Sequence, residues 1–286
     1  VSAVATSPAA EAATTEDARR PPKPPWWRGK ILPTYVALVL LYLVTPILVM
    51  VLYSFNQSHA RLPQVSFKWQ GFTLQWYREW NGIPGLLTAL GRTLWVACLA
   101  SITAAIIGTL LALAMVRYRF RGKAVVEQTM FMQIAVPEIV LGSALLGFFV
   151  TISLNRGFVT LFLAHVLFCL AFVAITVRAR LSGFDRSLEE AAQDLGANAW
   201  TTFVKVTLPL IWPGVLAGFL MAFALSIDDF VISNFVFGNY ETFPLWIYGA
   251  VKVGIPPQVF VFGTVIFTVG LCIALATLLF QRKKTV

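Results

Sequence analysis

The stretch EEAAQDLGANAWTTFVKVTLPL, residues 189–210, is a polar block in a greasy chain. It carries three acids, a lysine, a glutamine, an asparagine and a central glycine, whereas the 286-residue chain is 58% hydrophobic and only 12% charged. SLEEAAQDLGA consists of good helix formers and is interrupted by Gly196; ANAWTTFVKVT then resumes helical character. Pro209 and Pro213 follow, and proline removes a backbone donor and crowds the preceding turn, so the reading places a break there. The stretch predicts two short helices at an angle, joined by a glycine turn and projecting from the membrane ahead of a span that starts near 214. A free connecting loop needs no such order, whereas a docking element does.

Outward from this block the chain reads as membrane protein. Its mean hydropathy is +0.77, and 23 Phe and 9 Trp give more apolar surface than a globule of this size hides. Six apolar runs, at about 31–55, 93–116, 125–152, 157–177, 214–238 and 258–280, are long enough to cross, since about 20 residues traverse a hydrocarbon core of roughly 30 Å. The predicted fold is all-α with six transmembrane helices.

The net charge of +9 raises the question of nucleic acid, and its distribution answers it. With the N-terminus cytoplasmic, the inner segments hold Arg19, Arg20, Lys23, Arg28 and Lys30; Arg117, Arg119, Arg121 and Lys123; Arg178, Arg180, Arg186 and Lys205; and Arg282, Lys283 and Lys284. That is sixteen of the 22 basic residues. Cytoplasmic loops collect Lys and Arg, so both termini are expected in the cytoplasm and the basic excess is topology rather than nucleic-acid affinity.

Residues 1–30 are Ala, Thr, Ser and Pro rich and end in RRPPKPPWWRGK. They read as a disordered cytoplasmic tail with an interfacial Trp and Arg/Lys anchor, not a signal peptide, because no short apolar core with a cleavage site is present. The segment 56–92, with Trp76, Tyr77 and Trp80, predicts a short helix at the outer boundary. The longer polar connections are 178–213 inside and 239–257 outside.

Cys98, Cys169 and Cys272 are far apart within apolar runs, and His59 and His165 are isolated in sequence, so neither a metal site nor a disulfide framework is indicated. A structural or incidental role is expected for both histidines. No phosphate-binding GxxxxGK[ST], GxSxG or HExxH pattern occurs, so any ATP hydrolysis belongs to another chain.

Glu190-Ala191-Ala192, three residues, Gly196, nine residues, Val206, one residue and Leu208-Pro209 together resemble the EAA loop of ABC-importer permeases, with Val in place of Ile the one departure. FDRSLEEAAQDLGA, VPEIVLGSALL, ALSIDDFVISNFVFG and ETFPLWIYGAVKVGIPPQV are similar to the spermidine/putrescine importer permeases of the second-subunit type. The likeness spans about residues 30–284. It implies a type I, MetI-like permease domain over 31–284 with a coupling loop at about 185–209, in a bacterial inner membrane. It also implies a second permease subunit as heterodimer partner, two ATP-binding subunits that hold ATP and magnesium, and an extracytoplasmic polyamine-binding protein. This chain itself would need no cofactor. Glu190, Ala191, Ala192, Gly196, Leu208 and Pro209 would be coupling residues, with Gly196 allowing a bend or a close approach and Glu190 pairing with the ATPase.

Acids inside the membrane are the second signal. Asp228 and Asp229 lie in the fifth run and Glu138 follows Pro137 in the third. A central charge costs about 2.5–3.5 kcal/mol on insertion scales, so such acids face a cavity or a partner. Counted from 125 and 214, Glu138 and Asp228 both lie roughly 20 Å into their spans. Acids at matching depth suit a protonated di- or triamine, whose ammonium groups need carboxylates and whose methylenes suit aromatic faces. No Lys or Arg interrupts these two runs, as an anion carrier would want. Asp228 and Asp229 point about 100° apart on a helix, so one is expected to bind and the other to hold a neighbouring helix. Trp246 and Tyr248, near the outer entrance, suit an interfacial belt or an amine cage.

Two other classes were weighed. An ATP-independent channel or secondary transporter is allowed by the acids but opposed by the loop. An intramembrane enzyme would need a nucleophile and base that the spans lack. Within the importer class, the alternatives are permeases for another small cation, iron, thiamine or phosphonate.

Overall fold

The structure, a computed structural model, describes residues 28–57, 68–80, 82–183 and 185–282, of which 28–29 and 273–282 are described as backbone alone. The tail expected over 1–30 falls outside it up to residue 27, as does His59.

Three helices make the core: α3 (Leu86–Arg117), α6 (Phe158–Ser182) and α9 (Leu208–Asp228). The α3 face that turns inward is a ladder of small residues, Ala89, Thr93, Ala97, Ala100, Ala104, Gly108 and Ala112, at three- and four-residue spacing. Small side chains let helix backbones approach in a membrane, where apolar burial itself gives no advantage over lipid. At Gly108 an added Cβ would lie 2.8 Å from Val173 of α6. The opposite α3 face exposes Leu94, Trp95, Ile102, Ile106 and Leu110, apolar surface of the kind that faces lipid or a partner helix.

Around this core, α1 (Arg28–Tyr53) packs on α12 (Pro257–Arg282), with Met50 seated at Gly263. Its last turn leads to an outer element in which Asn56 bridges Phe72, and the Trp76 indole N–H donates to the Asn56 carbonyl at 2.9 Å. Trp76 thereby becomes the one buried side chain of the short helix α2 (Gln75–Arg78). The short helix predicted within 56–92 is present, four residues long.

Among the described residues four helices are long and apolar enough to cross a membrane: Lys30–Tyr53, Leu86–Arg117, Phe158–Ser182 and Ala199–Asp228. The third run, 125–152, is not a straight span. It is two helices, α4 (Lys123–Ala135) and α5 (Glu138–Thr151), bent by 113°. Val136 is extended ahead of Pro137, as the proline ring requires of the residue before it, and this ends α4. If the bent pair is one span, the count is five, so six separate crossing helices are not established; the last helix, α12, is a shorter apolar helix over Pro257–Cys272.

The fifth run corrects the sequence reading at both ends. Pro209 and Pro213 do not break the chain. α8 (Ala199–Thr202), a π-turn over Phe203–Thr207 and α9 form one continuous helix, with Pro213 inside it. The π-turn widens the backbone just where the Pro209 ring would clash with the Lys205 carbonyl, and Leu208 N–H donates to Phe203 O instead. At the other end the helix stops at Asp228, and a separate helix, α10 (Val231–Val236), follows. Because the span starts at Ala199 rather than near 214, the equal-depth count for Glu138 and Asp228 does not hold.

Candidate functional site

Two sites carry the chemistry, one at each end of the helix that runs from Ala199 to Asp228. The first is built on α7 (Ser187–Asp194). Its start is fixed by Asp185, whose carboxylate accepts from Ser187 N–H at 2.9 Å, and that hydrogen bond holds the Asp185 carboxyl below its usual range. Its end is fixed by Gly196, at φ +87°. Gly196 N–H donates to Gln193 O and Ala197 N–H to Ala192 O, the pair of bonds that closes a helix through a left-handed residue. An added Cβ at Gly196 would meet nothing within 4 Å. Of the two roles expected for this glycine, the bend is therefore the one present.

After the turn, Asn198 accepts from Thr201 N–H at 2.8 Å and opens α8. Glu190 is exposed and pairs with Arg186 at 3.3 Å, one helical turn back. Ala191 and Ala192 lie on the same short helix, Leu208 and Pro209 at the start of α9. The carboxylate that ties the loop down is instead Glu189, which sequence reading passed over for its neighbour. Glu189 Oε1 accepts from Arg117 Nη2 at 2.8 Å and Thr207 Oγ1 at 2.6 Å, pinning α7 between the end of α3 and the π-turn. Arg178 pairs with Glu127 at 2.6 Å beside it, joining α6 to α4. With its acidic face so anchored, the loop presents Leu188, Leu195 and Trp200 outward, Leu195 at 90% and Trp200 at 72% exposure. An apolar ridge on a rigid, ion-paired base is a surface shaped to seat in a groove.

The second site surrounds the break between α9 and α10. Asp228 is exposed on the chain's own surface, and so is Glu138 in the first turn of α5, where the helix dipole suits a carboxylate. Asp229 is buried. Its Oδ1 accepts from Ile232 N–H at 3.2 Å, and its Oδ2 accepts from Ser233 N–H and Ser233 Oγ, both at 2.8 Å. α5 lies against α10, Gly142 touching Ile232 and Phe235, so Glu138 comes within electrostatic reach of both aspartates. The three acids thus lie on packed neighbouring elements, and two of them, Asp228 and Glu138, are exposed.

His165, isolated in sequence, is not isolated in space. It is 1% exposed, with Nδ1 at 2.7 Å from Ser226 Oγ, Nε2 at 2.9 Å from Ser233 Oγ and Nε2 at 3.4 Å from Asp229 Oδ2. Ser226, Asp229 and Ser233 stand at three- and four-residue intervals, a polar stripe that would lie on one helical face; that spacing is the signal by which the set was discoverable.

The aromatic pair does not act as a unit. On α11 (Phe243–Val253), Trp246 lies against Gly85 at the start of α3, whereas Tyr248 packs on Phe230 with ring centroids 4.6 Å apart. Lys252 Nζ sits 4.3 Å above the Tyr248 ring, so the chain's own cation uses that face. Among the described residues no cluster of three or more His, Cys, Asp or Glu is arranged to hold a metal.

The family described as binding-protein-dependent transport system inner membrane component matches residues 104–286. The chain is 40% identical over 252 residues to the spermidine/putrescine transport system permease protein PotC of Escherichia coli K12, covering 88% of this chain and 94% of that one. It is 39% identical over 251 residues to PotC of Haemophilus influenzae, covering 87% and 96%. To the putrescine transport system permease protein PotI of Escherichia coli K12 it is 38% identical, covering 85% and 88%. Among solved structures it resembles a chain of a bacterial ABC transporter that imports the acidic polysaccharide alginate, with a TM-score of 0.66 at 18% identity over 92% of this chain and 99% of that one. A chain of the MetNI methionine ABC transporter aligns with a TM-score of 0.52 at 17% identity, covering 69% and 93%. These two share the fold alone.

Proposed function

The chain belongs to the binding-protein-dependent transport system inner membrane component family, and from that premise we propose that it is the membrane-spanning permease of an ATP-driven importer carrying spermidine and putrescine into the cytoplasm. The observation that carries the substrate is the likeness to polyamine permeases over nearly their full length. The acid cluster supports it: two exposed carboxylates, Asp228 and Glu138, beside a third that is buried, form a negative patch in a span, suited to ammonium groups. The chain does no covalent chemistry of its own. In the inner membrane, with both termini cytoplasmic, it pairs with a second permease subunit to enclose the path. An extracytoplasmic polyamine-binding protein delivers the substrate. Two ATP-binding subunits, which hold ATP and magnesium, receive the loop at 185–209 and drive alternating access through it.

In this scheme Leu195 and Trp200 seat in the ATPase while Glu189 keeps α7 fixed to the membrane helices, so displacement of the ATPase is passed on rather than absorbed. The test is uptake of labelled spermidine and putrescine into vesicles containing the complete complex with its binding protein. Saturable uptake that requires ATP is expected. An assembled, ATP-hydrolysing complex that takes up neither amine would overturn the substrate assignment.

A further inference from the structure

The hydrogen bonds around His165 take one direction when the imidazole is neutral. Ser233 Oγ gives its single proton to Asp229 Oδ2, so at His165 the Nε2 must be the donor to Ser233 Oγ. In the neutral ring Nδ1 then accepts, and Ser226 Oγ donates to it. The bonds form a directed chain from Ser226 on α9 through His165 on α6 to Ser233 on α10 and Asp229 at the break. The chain stitches together the two sides of an interrupted helix using a residue from a third. Burial of all four members keeps water from competing for these bonds, and a buried network hydrogen-bonded in this way fixes a single geometry.

The consequence concerns which acid meets the substrate. Buried, with its Oδ2 held by the Ser233 side chain and backbone and its Oδ1 by Ile232 N–H, Asp229 offers no exposed oxygen to an ammonium group. Asp228, one residue earlier and exposed, does. We propose that His165 is a positioning residue of the cation path: it reserves Asp229 as a buried fixed counter-charge and so leaves Asp228, with Glu138, as the carboxylates that contact the substrate's ammonium groups. The path itself rests on the importer reading above; the reservation of Asp229 rests on geometry alone.

Two readouts on the complete complex separate the parts. The first is carboxyl modification by the apolar reagent dicyclohexylcarbodiimide, mapped by mass spectrometry. Asp229 is expected unlabelled in the wild type and in H165Q, whose terminal amide can still donate to Ser233, and labelled in H165N and H165A, whose side chains are too short to reach it. The second is spermidine uptake, in which H165N and H165A raise KM about tenfold, the scale of losing a hydrogen bond to a charged group, while kcat changes less and H165Q stays within about threefold of the wild type. S233A, which removes the link next to Asp229, should behave like H165N even if H165A fails to assemble; S226A, at the far end, should be milder. Asp229 labelled in the wild type, or unlabelled in every variant, would overturn the proposal. So would H165N matching H165Q in KM. A wild type that shows the labelling pattern but carries no polyamine would sink the substrate reading and leave the reservation of Asp229 standing.

Discussion

Replacing Gly196 by alanine isolates one physical term. The residue sits at φ +87° with open space where a Cβ would go, so the methyl group adds no clash and removes no contact. What remains is the cost of a left-handed conformation, roughly 1–2 kcal/mol for a residue with a Cβ. Alanine's smaller freedom in the unfolded chain does not offset this, because that gain appears only where the native φ suits the new residue. A penalty of that size shifts an equilibrium about 5- to 30-fold. Here the equilibrium is between the closed turn, with Ala197 N–H on Ala192 O and Gly196 N–H on Gln193 O, and an opened one that misdirects α7 relative to α8. The assay is transport-coupled ATP hydrolysis in the complete complex, measured beside uptake. G196A should insert and assemble but lose several-fold in uptake per ATP hydrolysed. G196N should lie between it and the wild type, since asparagine enters the left-handed region more readily than alanine. G196D should match G196N as far as the backbone is concerned, since aspartate is enriched there too, so a greater loss in G196D would report the added charge rather than the bend. If G196A couples as tightly as the wild type, the bend is not what the loop needs from this position.

The other predictions concern carboxylates. E189A removes the acceptor shared by Arg117 and Thr207 and should cost about 1–3 kcal/mol, seen as a lower Tm of the complex and faster proteolysis near Arg186; an unchanged Tm would mean the clamp contributes nothing. D228N and D229N should fail differently. D228N should fold normally and raise KM for spermidine, because an exposed charge is lost. D229N places an amide among three donors and should reduce the amount of assembled complex. Equal effects on KM and yield in the two variants would contradict the division of labour between them.

The loop was legible in the sequence because its determinants are local: helix formers, a glycine at the turn and an asparagine cap all act within a few residues. Composition likewise gave away the membrane, and the lengths of the apolar runs the long helices. Sequence reading carries one span across Pro137 and places a break at Pro209, and the structure has the reverse. At Pro137 the chain bends by 113°, whereas at Pro209 a single widened turn absorbs the missing donor and the ring, a solution that leaves no mark in composition. The partners of His165 lie 61 and 68 residues away, so no window along the chain could join them. Glu189 and Glu190 are equivalent acids in sequence; only the approach of α3, 72 residues distant, makes one an anchor and leaves the other at the surface. What sequence left open is uniformly what depends on which helices lie side by side.

The unbroken helix from Ala199 to Asp228 joins the two ends of the molecule's work. Thirty residues at 1.5 Å each make a shaft of about 45 Å, with Trp200 near one end and Asp228 at the other. A continuous helix passes a tilt along its length: about 10° at the base would carry the far end of a straight one roughly 8 Å, more than the width of a methylene chain. The widened turn near its base holds one extra residue, and this sets the angular phase between the two ends. Deleting a residue within Phe203–Thr207 would therefore turn Asp228 about 100° relative to the docking ridge while leaving both intact, converting a correctly timed transmission into one that delivers its stroke to the wrong face.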